Sequence, residues 1–322
     1  MHVLALVPGG IDEQLLFFPT LETLKLAYPD AQIDVMAASG ARDAYRVCKF
    51  SHDKSLKTYP FDFKDRNGMA DWGNWLGIVR DGEYDAVLSG DNSWYVGFLL
   101  WMSGIPTRIG YSGGGAQMFL THRIPLKPEQ YAPEVYDDLL QGLDISAPCP
   151  QIEVTLLKED LDWAEAEKKR LGMDASGYVL VDLGAAPSIL RNSTEVYPVK
   201  HWQAIVQTLQ ERQPDVPVAL LTTPENLALV RDLSASTPGL KILVPEDTGK
   251  MAAAIAGADV LLCPDGAAMQ LAVGVQTYTI ALFGASDPAK RLPAGDKFTP
   301  IKSPTGKITD ITPDMVLKPI FG

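Results

Sequence analysis

The chain has 322 residues, with 28 Lys and Arg against 40 Asp and Glu, a formal net charge of −12 and 46% hydrophobic residues. At roughly 100–200 residues per domain this is about two domains of ordinary globular composition, which excludes fibrous and disordered classes. Residues 1–150 hold 12 basic and 19 acidic groups and residues 151–322 hold 16 and 21, so neither half offers nucleic acid a basic surface.

Cys48, Cys149 and Cys263 are odd in number, far apart and lack C-x-x-C spacing, so neither a disulfide framework nor a zinc site is expected. The longest strongly apolar run, Val96–Met102, is far shorter than the ~20 residues needed to cross a bilayer. Met1–Val7 has no basic leader and runs straight into a glycine turn. A soluble, cytoplasmic protein is expected.

Along the chain, strands alternate with helices. Val3–Val7, closed by Pro8-Gly9-Gly10, has the continuous apolar character of a buried parallel strand. Leu15 to Ala27 follow at helical spacing, and Pro19, lacking a backbone donor, is expected to start or kink that helix. Ile33–Ala37 and Ala86–Ser89 read as strands, Leu99–Ser103 as a helix end before Gly104-Ile105-Pro106, and Arg108–Tyr111 as a strand. A proline-rich connector, Ala147-Pro148-Cys149-Pro150, marks a boundary within 145–158. Beyond it, Glu159–Leu171 is an amphipathic helix with a Glu165–Lys169 pair and Gly172 as its stop. Strands at Tyr178–Leu183, Val216–Leu221, Leu240–Val244, Val260–Cys263 and Thr279–Phe283 then alternate with helices at Val199–Glu211, Glu225–Leu233, Lys250–Gly257 and Ala268–Val273. Such alternation implies α/β domains whose ligands bind at strand C-termini.

Three loops at those strand ends carry the candidate chemistry. Gly9 and Gly10 allow close backbone approach before Asp12 and Glu13, which read as helix-dipole carboxylates or, for one of them, a general base. Gly184–Ser188, leading to Arg191, suits a phosphate, with Ser188 as hydroxyl donor, and equally suits a plain connection. Asp265-Gly266 opens a helix that Asp265 could simply cap. No G-x-G-x-x-G or G-x-x-x-x-G-K-[ST] occurs. Asp160-Leu161-Asp162 matches a D-x-D pattern but begins a helix, where acids complement the dipole, so no metal is expected. Trp72, Trp75, Trp94 and Trp101 could line an acceptor groove or serve as core or interface aromatics.

Four segments appear together in order. They are Gly10-Ile11-x-x-x-Leu15-Leu16-x-x-Pro19-x-Leu21 with Leu24-Lys25-x-x-Tyr28-Pro29-Asp30-Ala31; Gly104-Ile105-Pro106-Thr107-Arg108-Ile109-Gly110-Tyr111; Tyr197-Pro198-x-x-x-Trp202; and Ala281-Leu282-Phe283-Gly284-x-x-Asp287-Pro288. In order and spacing, over nearly the whole chain, they resemble glycosyltransferase family 9, the ADP-heptose:lipopolysaccharide heptosyltransferases. The resemblance implies a GT-B fold: two doubly wound Rossmann-like domains with parallel sheets facing across a cleft, an acceptor side at 1–150 and a nucleotide-sugar side at 151–322. It further implies inverting, metal-independent transfer from an ADP-sugar donor, no cofactor, a glycan or glycolipid acceptor, and peripheral contact with the inner face of a membrane.

Carried over position by position, the resemblance puts Glu13 at the catalytic base and Asp12 at the glycine before it. Glu195 falls where a phosphate-binding lysine is usual. Asp265 is kept, Gly266-Ala267 replaces a hydroxyl-Gly pair, Gln270 stands where His is usual, and Glu225 matches a ribose-associated Glu. Arg191 is the nearest substitute cation, with Lys290 and Arg291 further along. Two functions are expected of such a site: a glycosyltransferase with altered residues, or a lapsed paralogue kept as a glycan- or partner-binding or assembly module. A sugar-nucleotide epimerase would explain the two domains but not the full motif set.

Overall fold

The computed structural model describes residues 1–61, 68–184 and 196–322, which divide into two compact units, Met1–Glu153 and Val154–Gly322. Ser188, Arg191 and Glu195 lie outside the described residues.

The first unit runs β1 (His2–Leu6), α1 (Ile11–Ala27), β2 (Gln32–Ala37), β3 (Leu56–Pro60), α2 (Met69–Asp81), β4 (Ala86–Ser89), α3 (Trp94–Ser103), β5 (Thr107–Tyr111), β6 (His122–Ile124) and α4 (Ala132–Asp137). Its strands form one parallel sheet in the order β3-β2-β1-β4-β5-β6. Val3 to Leu6 and Ala86 to Leu88 are covered on both faces, as the apolar runs require of central parallel strands. Leu4, Leu6 and Val87 pack against Trp75 and Val79 of α2 and Val96 and Leu100 of α3. Gly104 ends α3 in the left-handed conformation (φ +84°), which a residue with a Cβ rarely adopts.

Pro19 neither begins α1 nor interrupts its assignment: the helix starts at Ile11 and continues to Ala27. The proline leaves the carbonyl of Leu15 without its helical donor. That loss is offset by burial, since Gln14 to Leu21 are all enclosed.

The second unit contains α5 (Lys158–Arg170), β7 (Val179–Asp182), α6 (Val199–Arg212), β8 (Val218–Leu221), α7 (Leu227–Ser236), β9 (Lys241–Leu243), α8 (Thr248–Ala256), β10 (Val260–Pro264), α9 (Ala267–Val275), β11 (Thr279–Phe283), β12 (Phe298–Lys302) and α10 (Pro313–Phe321). Its sheet order is β12-β11-β10-β7-β8-β9, again parallel throughout. Val181, Leu220, Leu262 and Leu282 form the centre of a core that includes Trp202, Ile205, Leu233 and Val316.

Counted within each unit, both sheets have the strand order 3-2-1-4-5-6. The connection after the first strand leaves to one side and that after the fourth to the other, which opens a crevice at their carboxyl ends. In the first unit that switch lies between β1 and β4; in the second it lies between β7 and β10.

Candidate functional sites at the two switch points

At the carboxyl end of β1, Gly9 has φ +118°, and a Cβ there would come within 2.5 Å of Glu13 Cγ. The position therefore needs glycine for its backbone and for the side chain lying over it. Gly10, in extended conformation, precedes α1, whose first turn holds Asp12 and Glu13. Buried Gln14 fixes this turn: its Nε2 donates to Val7 O (3.0 Å), and Tyr45 Oη donates to its Oε1 (2.9 Å).

Glu13 Oε2 accepts a hydrogen bond from Tyr136 Oη at 2.7 Å. Tyr136 belongs to α4 and packs edge-on against Phe17 of α1, with ring centroids 5.7 Å apart. A Cβ on Gly90, just after β4, would lie 3.3 Å from Pro8 Cδ and 3.4 Å from Tyr136 Cε1, so both strand ends close around this ring. Tyr111, whose Oη donates to Val135 O at 2.9 Å, has its phenol pushed up by burial and then by the charges of Asp138 and Glu13. Asp91 faces the same end of the sheet and accepts from Ser93 N at 2.7 Å, ordering the entry to α3. Sequence reasoning located Gly9, Gly10, Asp12 and Glu13 together. It missed Tyr136, which no nearby motif announces.

In the second unit, Asp265 does not cap α9. Its Oδ1 faces Arg291 Nε at 3.2 Å and its Oδ2 accepts from Ser286 Oγ at 3.0 Å. Gly266 occupies the N-cap of α9 in extended backbone, and an added Cβ would meet nothing within 4 Å. Gln270 is fully buried. Its Nε2 donates to Arg291 O at 2.9 Å, while its Oε1 has no hydrogen-bond partner among the described residues. Asp265 and Gln270 are thus brought together through Arg291, and Gly266 follows Asp265 in the chain.

Glu225 is exposed in the loop after β8, a strand two places from β10 in the sheet. Beneath it, buried Asn226 donates from Nδ2 to Asp182 Oδ1 (3.1 Å) and Leu221 O (2.9 Å). Burial pushes the Asp182 carboxyl up to about 6, with Gly184 N–H and Asn226 pulling it back. Asp182 carried no signal in the sequence beyond ending a strand.

Asp160, from the D-x-D pattern, is buried in the first turn of α5 against the backbone of Gly249 in α8. No group of three or more His, Cys, Asp or Glu suited to a metal occurs among the described residues. Trp75 is a core residue and Trp72 packs at its edge, whereas Trp94 and Trp101 are exposed. No helix among the described residues is long and apolar enough to cross a membrane.

The model for glycosyltransferase family 9 (heptosyltransferase) matches residues 78–319. Lipopolysaccharide heptosyltransferase 3 of Escherichia coli is 23% identical over 292 residues, covering 85% of this chain and 81% of that protein. The chloroplastic photosynthetic NDH subunit of subcomplex B 1 of Arabidopsis thaliana is 21% identical over 331 residues, covering 95% of this chain and 70% of that protein. The solved structure of the E. coli ADP-heptose lipopolysaccharide heptosyltransferase II superposes with a TM-score of 0.78 at 18% identity, covering 99% of this chain and 97% of that one.

Proposed function

The chain belongs to glycosyltransferase family 9, the heptosyltransferase family, and on that premise we propose that it is a sugar-nucleotide-dependent glycosyltransferase. It takes an ADP-sugar as donor and a hydroxyl of a lipopolysaccharide or other glycan as acceptor, inverts the anomeric centre and uses no metal. The observation that carries this reading is the Glu13 carboxylate held by Tyr136 at the first switch point. A carboxylate so oriented can take the proton of an acceptor hydroxyl as its oxygen bonds to the anomeric carbon. The bond from that carbon to the diphosphate oxygen breaks in the same displacement, and the electron pair leaves with the nucleoside diphosphate.

The departing charge is assigned to the α9 N-terminus at Gly266 and to Arg291, the cation that the described residues supply there. Asp265 and Gln270 position Arg291, and Glu225 faces the ribose hydroxyls. Ser188 and Arg191 remain donor ligands in this proposal on the strength of the resemblance. Calorimetric titration with ADP-, GDP- and UDP-sugars tests it: ADP-sugars are expected to bind, and negligible binding of all of them contradicts it.

A second reading, a lapsed enzyme kept as a binding or assembly module, is favoured by one feature. Asp265, Ser286, Arg291 and Gln270 are already engaged with one another. The Arabidopsis relative, which is named as a subunit of a larger complex, spans nearly all of the chain and supports the same reading. ADP-sugar turnover that disappears in Glu13→Ala excludes it.

A further inference from the structure

Glu225 is carried on a short turn between Leu221, which ends β8, and Leu227, which begins α7. Pro224 stands at the second position of the turn Thr223–Asn226, where its fixed φ is preferred. Asn226 N–H closes this turn on Thr223 O at 3.2 Å. The Asn226 side chain closes it a second time, its Oδ1 accepting from Thr223 N at 2.8 Å. Glu225, the third residue of the turn, is exposed, while Asn226 after it is completely buried.

The Asn226 amide is saturated. Its two N–H groups go to Asp182 Oδ1 (3.1 Å) and Leu221 O (2.9 Å), and its oxygen takes the Thr223 N–H. One side chain thus ties the ends of β7 and β8 to the turn that carries Glu225. Its backbone carbonyl accepts from Val230 N at 3.0 Å as α7 starts, and Asp182 Oδ1 accepts also from Gly184 N at 3.1 Å. The tie has a force to resist. Burial raises the Asp182 carboxyl, the Gly184 N–H and the Asn226 amide lower it, and the negative charge of Glu225 raises it again. The two carboxylates therefore repel, and an amide that donates to one while adjoining the other in the chain offsets that repulsion. A tie between β7 and β8 alone would need only Asp182 and Leu221; the bond to Thr223 N serves the turn.

We propose that Asn226, anchored on Asp182, is a positioning residue of the donor site, fixing the Glu225 carboxylate to accept from the ribose hydroxyls of an adenosine diphosphate. Its premise is the assignment of Glu225 to the donor ribose. A carboxylate that recognises adjacent hydroxyls needs orientation as well as charge. Glu225 is exposed, so the backbone on which it stands supplies that orientation. Asn226 itself touches no ligand in this scheme.

Calorimetric titration of the full chain with ADP and with 2′-deoxy-ADP tests it, because the ratio of the two affinities reads the ribose contact. A general loss of stability would weaken both together and leave the ratio unchanged. Wild type is expected to favour ADP about tenfold, as a hydrogen bond to a charged group implies. In Asn226→Ala, and in Asn226→Asp, which sets a carboxylate against Asp182, the preference should fall to about twofold or less. The swapped pair Asp182→Asn/Asn226→Asp again faces an amide with a carboxylate and should recover about fivefold or more. Circular dichroism melts check folding, and should the single variants unfold, the swapped pair decides alone. Failure of wild type to bind ADP contradicts the sugar-nucleotide reading and this proposal with it. ADP binding without a ribose preference, a preference that Asn226→Ala leaves intact, or a folded swapped pair that lacks it would overturn this proposal alone.

Discussion

Glu13 and Tyr136 are separated by 123 positions and meet at 2.7 Å, and the chemistry proposed for the first unit depends on that meeting. Replacing Glu13 by Gln keeps the shape and removes the base. ADP-sugar turnover should then fall about 10²–10⁴-fold while calorimetric donor affinity stays unchanged. Tyr136→Phe removes the hydroxyl that orients this carboxylate, so turnover should also fall while calorimetric donor affinity stays unchanged. A second residue-level prediction concerns Asp137. Burial and the neighbouring charges of Asp138 and Glu134 push its carboxyl up to about 6, against a pull from Thr23. Because the native state holds this proton more tightly than the unfolded chain, Asp137 lowers stability as pH rises from about 4 to 6. Asp137→Asn should therefore be more stable than wild type by about 2 kcal/mol at pH 8, and the difference should vanish near pH 4 in parallel denaturant melts. The strand-end loops single out Glu13 and Asp265 as candidates in the sequence, and the family resemblance adds Gln270 and Arg291. Tyr136 and Asp182 act through contacts between distant segments, and nothing adjacent to them in the chain encodes those contacts.

The same contrast holds for whole elements. Strands buried on both faces, such as β1, β4 and β11, announce themselves as unbroken apolar runs, and their boundaries are legible to within a residue or two. The strands that escaped notice, β3, β6 and β12, are all sheet edges, where one flank is exposed and the apolar run is diluted. Helix α2 was hidden by Gly73 and Gly77 inside it, and α10 by Pro319. In α1, Pro19 lies inside the helix and not at its start, and burial of the surrounding face offsets its helix penalty. Two helical glycines separate these effects. A Cβ on Gly77 meets nothing, so Gly77→Ala should stabilise by up to about 1 kcal/mol. A Cβ on Gly97 meets the Ala116 backbone at 2.7 Å, so Gly97→Ala should lose about 1–3 kcal/mol despite the same gain in propensity. Opposite shifts in melting temperature check the pair.

At the scale of the molecule, the opening arithmetic of two domains and a uniform acidity acquires structural content. Each unit carries its own sheet of order 3-2-1-4-5-6, and each places its candidate loop at the switch point that this order creates. Strand–helix alternation was enough to foresee that placement, whereas the identity of the sugar depends on side-chain contacts that composition does not encode. The acidity is interrupted at one place, the acid-free stretch 92–128, and there the surface is also apolar. The central claim is that Glu13 drives transfer from an ADP-sugar. Its most direct test is ADP release from ADP-linked sugars with and without a lipopolysaccharide acceptor, in wild type and Glu13→Gln, with donor binding followed by calorimetry. Acceptor-dependent release that falls about 10²–10⁴-fold in the variant at unchanged donor affinity is the expected result. Donor binding without release, or release that Glu13→Gln leaves intact, would contradict it.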